Sequence, residues 1–298
     1  MRAPTRTHAA LAVLVVLALA AVAMLVAVLA PRGEDGPPLE QHVREFTGQL
    51  SPRGPYRPPE PAERDAVLGA VASLLQAGPA EGDPARRTLE EAGFTVGLAA
   101  NASGEEFLVA RSDPASERSW GLIALPLDRE PRLLVEVPHP NSDYGTEEVG
   151  LAVLAARPDA IYLQAGAHRR AADESADVAH EVGSLFHALA VDLSVRLRLP
   201  QLQLHGFGER DDLDDDVVLG GGPEDPAPAV RDLADRLEEA DLSVCRAWSR
   251  RCRGLEGTTN VQGHAASLFG LPFAHVEMSA DLRKRPEDVA PALATMGG

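Results

Sequence analysis

The chain has 298 residues, enough for one large domain or two small ones, and its 45% hydrophobic content is ordinary for a globular protein. A formal net charge of −17, with no basic cluster to neutralise phosphates, argues against a nucleic-acid partner. Lys284 is the only lysine, and the excess of Arg, Ala, Gly and Pro is that of a GC-rich bacterial genome.

Arg2 and Arg6 precede an apolar run from Ala9 to Ala30. A bilayer-spanning helix needs about 20 such residues, whereas the apolar part of a signal peptide usually has about 7–15. Residues 1–30 are therefore expected to be an N-terminal membrane anchor, one transmembrane helix with its N-terminus inside and the rest of the chain extracytoplasmic. Cleavage of the same segment would make the protein secreted. Residues 31–62 are rich in Pro, Gly and charge, and read as a flexible linker with one short helix near Leu39–Phe46. The remaining residues, 63–298, read as one domain.

In that domain the apolar spacing predicts helices over Pro61–Gln76 and Pro84–Ala92. Strands follow at Phe94–Leu98, Glu106–Ala110, Gly121–Leu125 and Leu133–Val137, the first three as an antiparallel part of a sheet. The pattern then alternates: helix Glu147–Ala156, strand Ala160–Gln164, helix Val178–Leu193, strand Gln201–His205, helix Asp225–Ala240, strands Leu242–Ala247 and Phe273–Met278, and a last helix Pro286–Met296. Such alternation predicts an α/β fold, three-layer α/β/α, with a mostly parallel mixed sheet.

Three apolar strands end in groups suited to chemistry. Leu133–Val137 runs into an exposed loop with His139 and Asp143, Gln201–Leu204 ends at His205, and Phe273–Met278 contains Glu277. Strand ends in a parallel sheet share one edge, so these residues can converge. Two imidazoles and a carboxylate suit one zinc ion with a position left open, and a further carboxylate can serve as general base. Each residue also has a plain structural reading. A histidine at a strand end can simply hydrogen-bond, Asp143 can be a turn residue, and Glu147 and Glu148 can complement a helix dipole. Glu277 is harder to read as structural, because a bare carboxylate in an apolar strand is costly to bury.

At these residues the sequence resembles a zinc-hydrolase superfamily of carboxypeptidase-like fold, above all its poly-γ-glutamate hydrolase and N-formylglutamate amidohydrolase groups. The resemblance lies in Pro138-His139-Pro140-Asn141-Ser142-Asp143-Tyr144-Gly145-Thr146, in Leu202-Gln203-Leu204-His205-Gly206, and in His275-Val276-Glu277-Met278-Ser279 with Arg283, within about residues 131–285. It implies His139, an acidic residue and His205 as zinc ligands, Glu277 as the catalytic carboxylate, and cleavage of an amide or peptide bond. The first motif departs from the family in carrying Asp for Glu and in its spacing, which leaves Asp143 and Glu147 both open as the acidic ligand.

Arg169 and Arg170 follow the strand Ala160–Gln164 at the same edge, and could grip a substrate carboxylate or form a solvated cluster. Asp177 reads more readily as a helix N-cap than as support for a metal ligand. Cys245 and Cys252, the two cysteines, would form a disulfide in an oxidising compartment. The expectation is a membrane-anchored, extracytoplasmic zinc hydrolase acting on cell-envelope peptides or γ-glutamyl amides. Its alternatives are an N-acyl amino acid deacylase and a non-catalytic envelope-binding domain.

Overall fold

Strict alternation along the strands decides the architecture. The structure, a computed structural model, describes residues 37–78, 83–209 and 213–297. The apolar run Ala9–Ala30 lies outside them, and among the described residues no helix is long and apolar enough to cross a membrane. Helices α1 (Leu39–Gly48), α2 (Pro61–Ala77) and α3 (Pro84–Glu91) lead into strands β1 (Phe94–Ala100), β2 (Glu106–Ser112), β3 (Gly121–Pro126) and β4 (Leu133–Val137). There follow α4 (Thr146–Ala156), β5 (Ala160–Ala165), α5 (Leu185–Leu197), β6 (Gln201–Gly206), β7 (Val217–Gly220), α6 (Pro228–Glu239), β8 (Val244–Arg246), α7 (Val261–Phe269) and β9 (Phe273–Met278). A 3₁₀ turn at Leu282–Lys284 and α8 (Pro286–Leu293) complete the order.

The strands form one nine-stranded sheet in the order β1-β2-β3-β5-β4-β6-β9-β7-β8. One face carries Leu133, Val135, Val137, Leu202, Leu204, Val276 and Met278, packed with Leu39, Val43 and Phe46 of α1, Val149 and Val153 of α4, Leu233 of α6 and Leu293 of α8. The other carries Leu108, Ile123, Leu134, Ile161 and Leu163, packed with Val67, Val71 and Leu74 of α2, Leu89 of α3 and Phe186 and Leu189 of α5. Helices thus cover both faces, as expected. β1, β2 and β3 are antiparallel, also as expected.

The sheet is not mostly parallel. Among the described pairings β4–β5, β4–β6, β6–β9 and β7–β8 are parallel, while the other four are antiparallel. Two features make the difference. β3 joins the parallel part antiparallel to β5. β7, only four residues long and so without a readable period, inserts beside β9 with reversed direction.

Three element boundaries also differ from expectation. The stretch expected as a tether is folded from Pro37 onward: Leu39, Val43 and Phe46 of α1 are fully buried, and the compact unit spans Pro37–Gly298. Helix α5 starts at Leu185 rather than Val178, because Ser184 Oγ accepts a hydrogen bond from His187 N and caps it there. The stretch Thr258–Gly263, polar and ended by Gly263 and so read from composition as a loop, turns at Asn260 into α7, whose first turn is capped by Asn260 Oδ1 accepting from Gly263 N.

Candidate metal centre

The loop after β4 is buried at its candidate ligands, with Tyr144 its exposed residue. Pro138, His139, Pro140 and Asp143 are all shielded from solvent. The amides of Ser142 and Asp143 both donate to the His139 carbonyl, at 3.1 and 3.0 Å, and this single turn brings Asp143 back over the His139 ring. Asn141, held at φ 57°, donates from Nδ2 to the Leu50 carbonyl beyond α1 at 2.6 Å, so the N-terminal segment covers the loop. Gly145 closes it at φ 86°, a conformation that favours glycine.

β4 and β6 lie side by side and in parallel, so their ends bring His139, Asp143 and His205 together. Asp143 Oδ2 is 3.2 Å from His139 Nδ1 and 3.3 Å from His205 Nδ1. The ligand atoms of the three residues all lie within 4.8 Å of one another, and all three are buried. Each imidazole has its far nitrogen engaged. His139 Nε2 is 2.7 Å from Asp177 Oδ1, and His205 Nε2 is 2.8 Å from Gln203 Oε1. Arg169 donates to Asp177 Oδ2 at 2.6 Å and lies 3.3 Å from His139 Nδ1.

With both Nε2 atoms turned to acceptors, the two Nδ1 atoms present lone pairs to a carboxylate oxygen. Three converging acceptors repel one another unless a cation or proton sits among them, so the donor set fits a metal ion. The electrostatics agree. Burial works against the charged form of Asp143, but the imidazoles of His139 and His205 outweigh it and hold the carboxyl well below its usual range. Asp177 is likewise kept ionised, because His139 and Arg169 overcome its burial. Burial, with His275 alongside, lowers His205 to about 4 and keeps it a neutral donor. At His139 burial opposes the charged form, but the hydrogen-bonding carboxylates of Asp143 and Asp177 outweigh it and raise the pKa of the imidazole.

Glu277 is the register partner of His205 across β6 and β9. Its Oε1 is 3.6 Å from His275 Nε2, while Oε2 is buried with no hydrogen-bond partner among the described residues. Burial pushes its carboxyl up, but His275 and His205 pull it down further, leaving it ionised. His275, whose ring centroid is 4.4 Å from that of His205, was not singled out in the sequence. Its place two residues before Glu277 on the same strand face was the available signal.

Arg283 ties the three strand ends together. It donates from Nε to the Tyr144 carbonyl at 2.6 Å and from Nη1 to the Phe207 carbonyl at 3.1 Å and to the Met278 carbonyl. Gly206 is the passage this requires, since a Cβ there would overlap the guanidinium.

The remaining expected residues divide. Glu147 is not in the cluster: it lies in the first turn of α4, and burial raises its carboxyl. Asp143 is therefore the carboxylate that joins the two histidines. Asp177 is not a helix N-cap, a role that falls to Ser184, but the partner of His139. Arg169 reaches the centre, while the Arg170 side chain is exposed. Cys245 and Cys252 are joined in a disulfide.

Neither a family model nor a curated protein matches the sequence. Among solved structures the chain is similar to a bacteriophage poly-gamma-glutamate hydrolase, at 12% identity over 70% of this chain and 92% of that one, with a TM-score of 0.38. It is similar to an aspartoacylase family protein from Mesorhizobium loti at 13% identity, over 69% of this chain and 67% of that one, with a TM-score of 0.39. A metallo-carboxypeptidase from Burkholderia cenocepacia shares 13% identity over 81% of this chain and 69% of that one, with a TM-score of 0.37. At such identities and scores the geometry of the centre, rather than kinship, carries the functional reading.

Proposed function

We propose that this chain is a zinc-dependent hydrolase that cleaves an amide or peptide bond. The observation that carries the reading is the convergence of His139 Nδ1, Asp143 Oδ2 and His205 Nδ1, with each Nε2 already engaged elsewhere. These three residues would hold one zinc ion, which when bound acts as a Lewis acid and lowers the pKa of a water to about 7. Glu277 is the general base. Its free Oε2 accepts a proton from the attacking water and returns it to the leaving amine. Asp177 holds the His139 ring in orientation, and Arg169 in turn holds Asp177.

The substrate class follows from location. A disulfide belongs in an oxidising compartment, and the apolar run at Ala9–Ala30 would deliver the domain there, attached to a membrane. On this reading the enzyme is extracytoplasmic and acts on cell-envelope peptides or γ-glutamyl amides, with Arg169 or Arg170 gripping a substrate carboxylate. A domain that only binds wall fragments has no use for the unpartnered oxygen of Glu277.

Elemental analysis of the full-length chain tests the proposal. About one zinc per chain, lost in both His139→Ala and His205→Ala, is the expected result, followed by hydrolysis of γ-glutamyl or muropeptide amides. No zinc after reconstitution would overturn it.

A further inference from the structure

A buried cluster of amide side chains lies behind His205, on the sheet face opposite α4. Gln203 and Gln262 are fully buried, and Asn260 is nearly so. The two ends of an amide look alike in shape, so its orientation must be read from partners that can only donate or only accept. Two backbone groups supply that information here.

The Val178 carbonyl can only accept, and Gln262 Nε2 donates to it at 2.9 Å. Gln262 Oε1 is therefore the atom facing Gln203, and it accepts from Gln203 Nε2 at 3.2 Å. The same Gln203 Nε2 donates to Glu136 Oε2 at 2.7 Å. Gln203 Oε1 is left pointing at His205. From the other side, the Gly263 amide can only donate, and Asn260 Oδ1 accepts it at 3.0 Å. That leaves Asn260 Nδ2 to donate, and it donates to the same Gln203 Oε1. Both paths end on one acceptor, 2.8 Å from His205 Nε2. An acceptor there requires the proton of a neutral imidazole to sit on Nε2, so the lone pair sits on Nδ1, the nitrogen that faces Asp143.

We propose that Gln203, Asn260 and Gln262 are positioning residues that lock His205 in its Nε2–H tautomer and so keep Nδ1 free as a ligand. The consequence for metal binding rests on the metal-centre reading above, whereas the tautomer itself does not. Positioning partners of this kind are worth about 10–100-fold in metal affinity.

The test uses the full-length chain labelled with ¹⁵N at histidine and stripped of metal, with His205 assigned by comparison with His205→Ala. Long-range ¹H–¹⁵N spectra are expected to show His205 with Nε2 protonated and Nδ1 bare. An Nδ1–H form, or an average of the two tautomers, overturns the proposal. In Gln203→Met, close in size but without the acceptor, the tautomers are expected to mix and zinc affinity, measured by chelator competition, to fall about 10–100-fold. An unchanged tautomer in Gln203→Met also overturns the proposal. If the wild-type protein shows the Nε2–H form yet takes up no zinc, the lock stands and the metal reading fails.

Discussion

Glu277 gives the sharpest prediction at the scale of single residues. It is partly buried and ionised, and one of its oxygens is buried without a partner among the described residues, but it lies outside the cluster of ligand atoms. Glu277→Gln is therefore expected to keep the full zinc content while hydrolysis falls about 10²–10⁴-fold, the usual worth of a general base. Loss of zinc in that variant would make Glu277 a ligand instead. Glu136 gives a prediction about pH. It is fully buried on β4, and burial, only partly offset by Gln203, pushes its carboxyl from 4.5 up to about 8. The folded protein therefore keeps a proton that the unfolded chain releases near pH 4.5. The stability this group contributes is complete below that pH and is lost as pH rises through about 8. Glu136→Gln cannot titrate, so its stability relative to wild type is expected to rise between pH 4.5 and 8 and to be level on either side, as urea unfolding across that range would show. The sequence made His139, Asp143, His205 and Glu277 legible because each stands where an apolar strand ends or is interrupted. The same argument applied to Glu136 and Gln203 would have found the polar cluster behind His205.

Most elements were readable as elements, and the errors lie where a cap or a short strand outweighs the apolar period. The segment from Val178 to Gly183 has the apolar content of a helix start, but its backbone is turn, and Ser184 sets the true beginning of α5. That delay keeps the stretch from Gly166 to Gly183 as a loop long enough to carry Arg169 and Asp177 to the metal centre. Ser184 is buried, and its hydroxyl accepts from His187 N at 3.1 Å. Ser184→Ala is expected to lower the unfolding free energy by about 1 kcal/mol, as measured by urea denaturation. A neutral result would mean that packing alone fixes where α5 begins. Helix α7 escaped notice for a related reason. Gly263, Gly270 and the polar residues before Asn260 resemble a loop until the cap at Asn260 is seen to start a helix.

At the scale of the whole molecule, the sheet converts sequence distance into proximity. Register places Glu136, Gln203 and His275 in one row across β4, β6 and β9, and His205 beside Glu277 in the next. The parallel part of that arrangement was foreseeable from the alternating pattern. The reversed β7 was not, since four residues leave no room for a period. The short N-terminal helix was legible, because Leu39, Val43 and Phe46 fall at the spacing of a helix with one apolar face, but its packing was not, because the Pro, Gly and charge around it suggest a linker. That face is entirely buried against the layer that holds α4 and α8. The helix is tied further by Arg44, which donates to both oxygens of Glu148 at 2.6 and 2.7 Å. Thr47 Oγ1 accepts from Gln164 on β5, and the Leu50 carbonyl accepts from Asn141 in the loop of the metal centre. If this segment were a tether, Phe46→Ala would be silent. As part of the core, Phe46→Ala is expected to cost about 3–5 kcal/mol in urea unfolding, with one cooperative transition retained. Because the same segment covers Asn141, the variant is also expected to bind zinc more weakly than wild type when both are folded, a loss that a tether could not transmit to the centre.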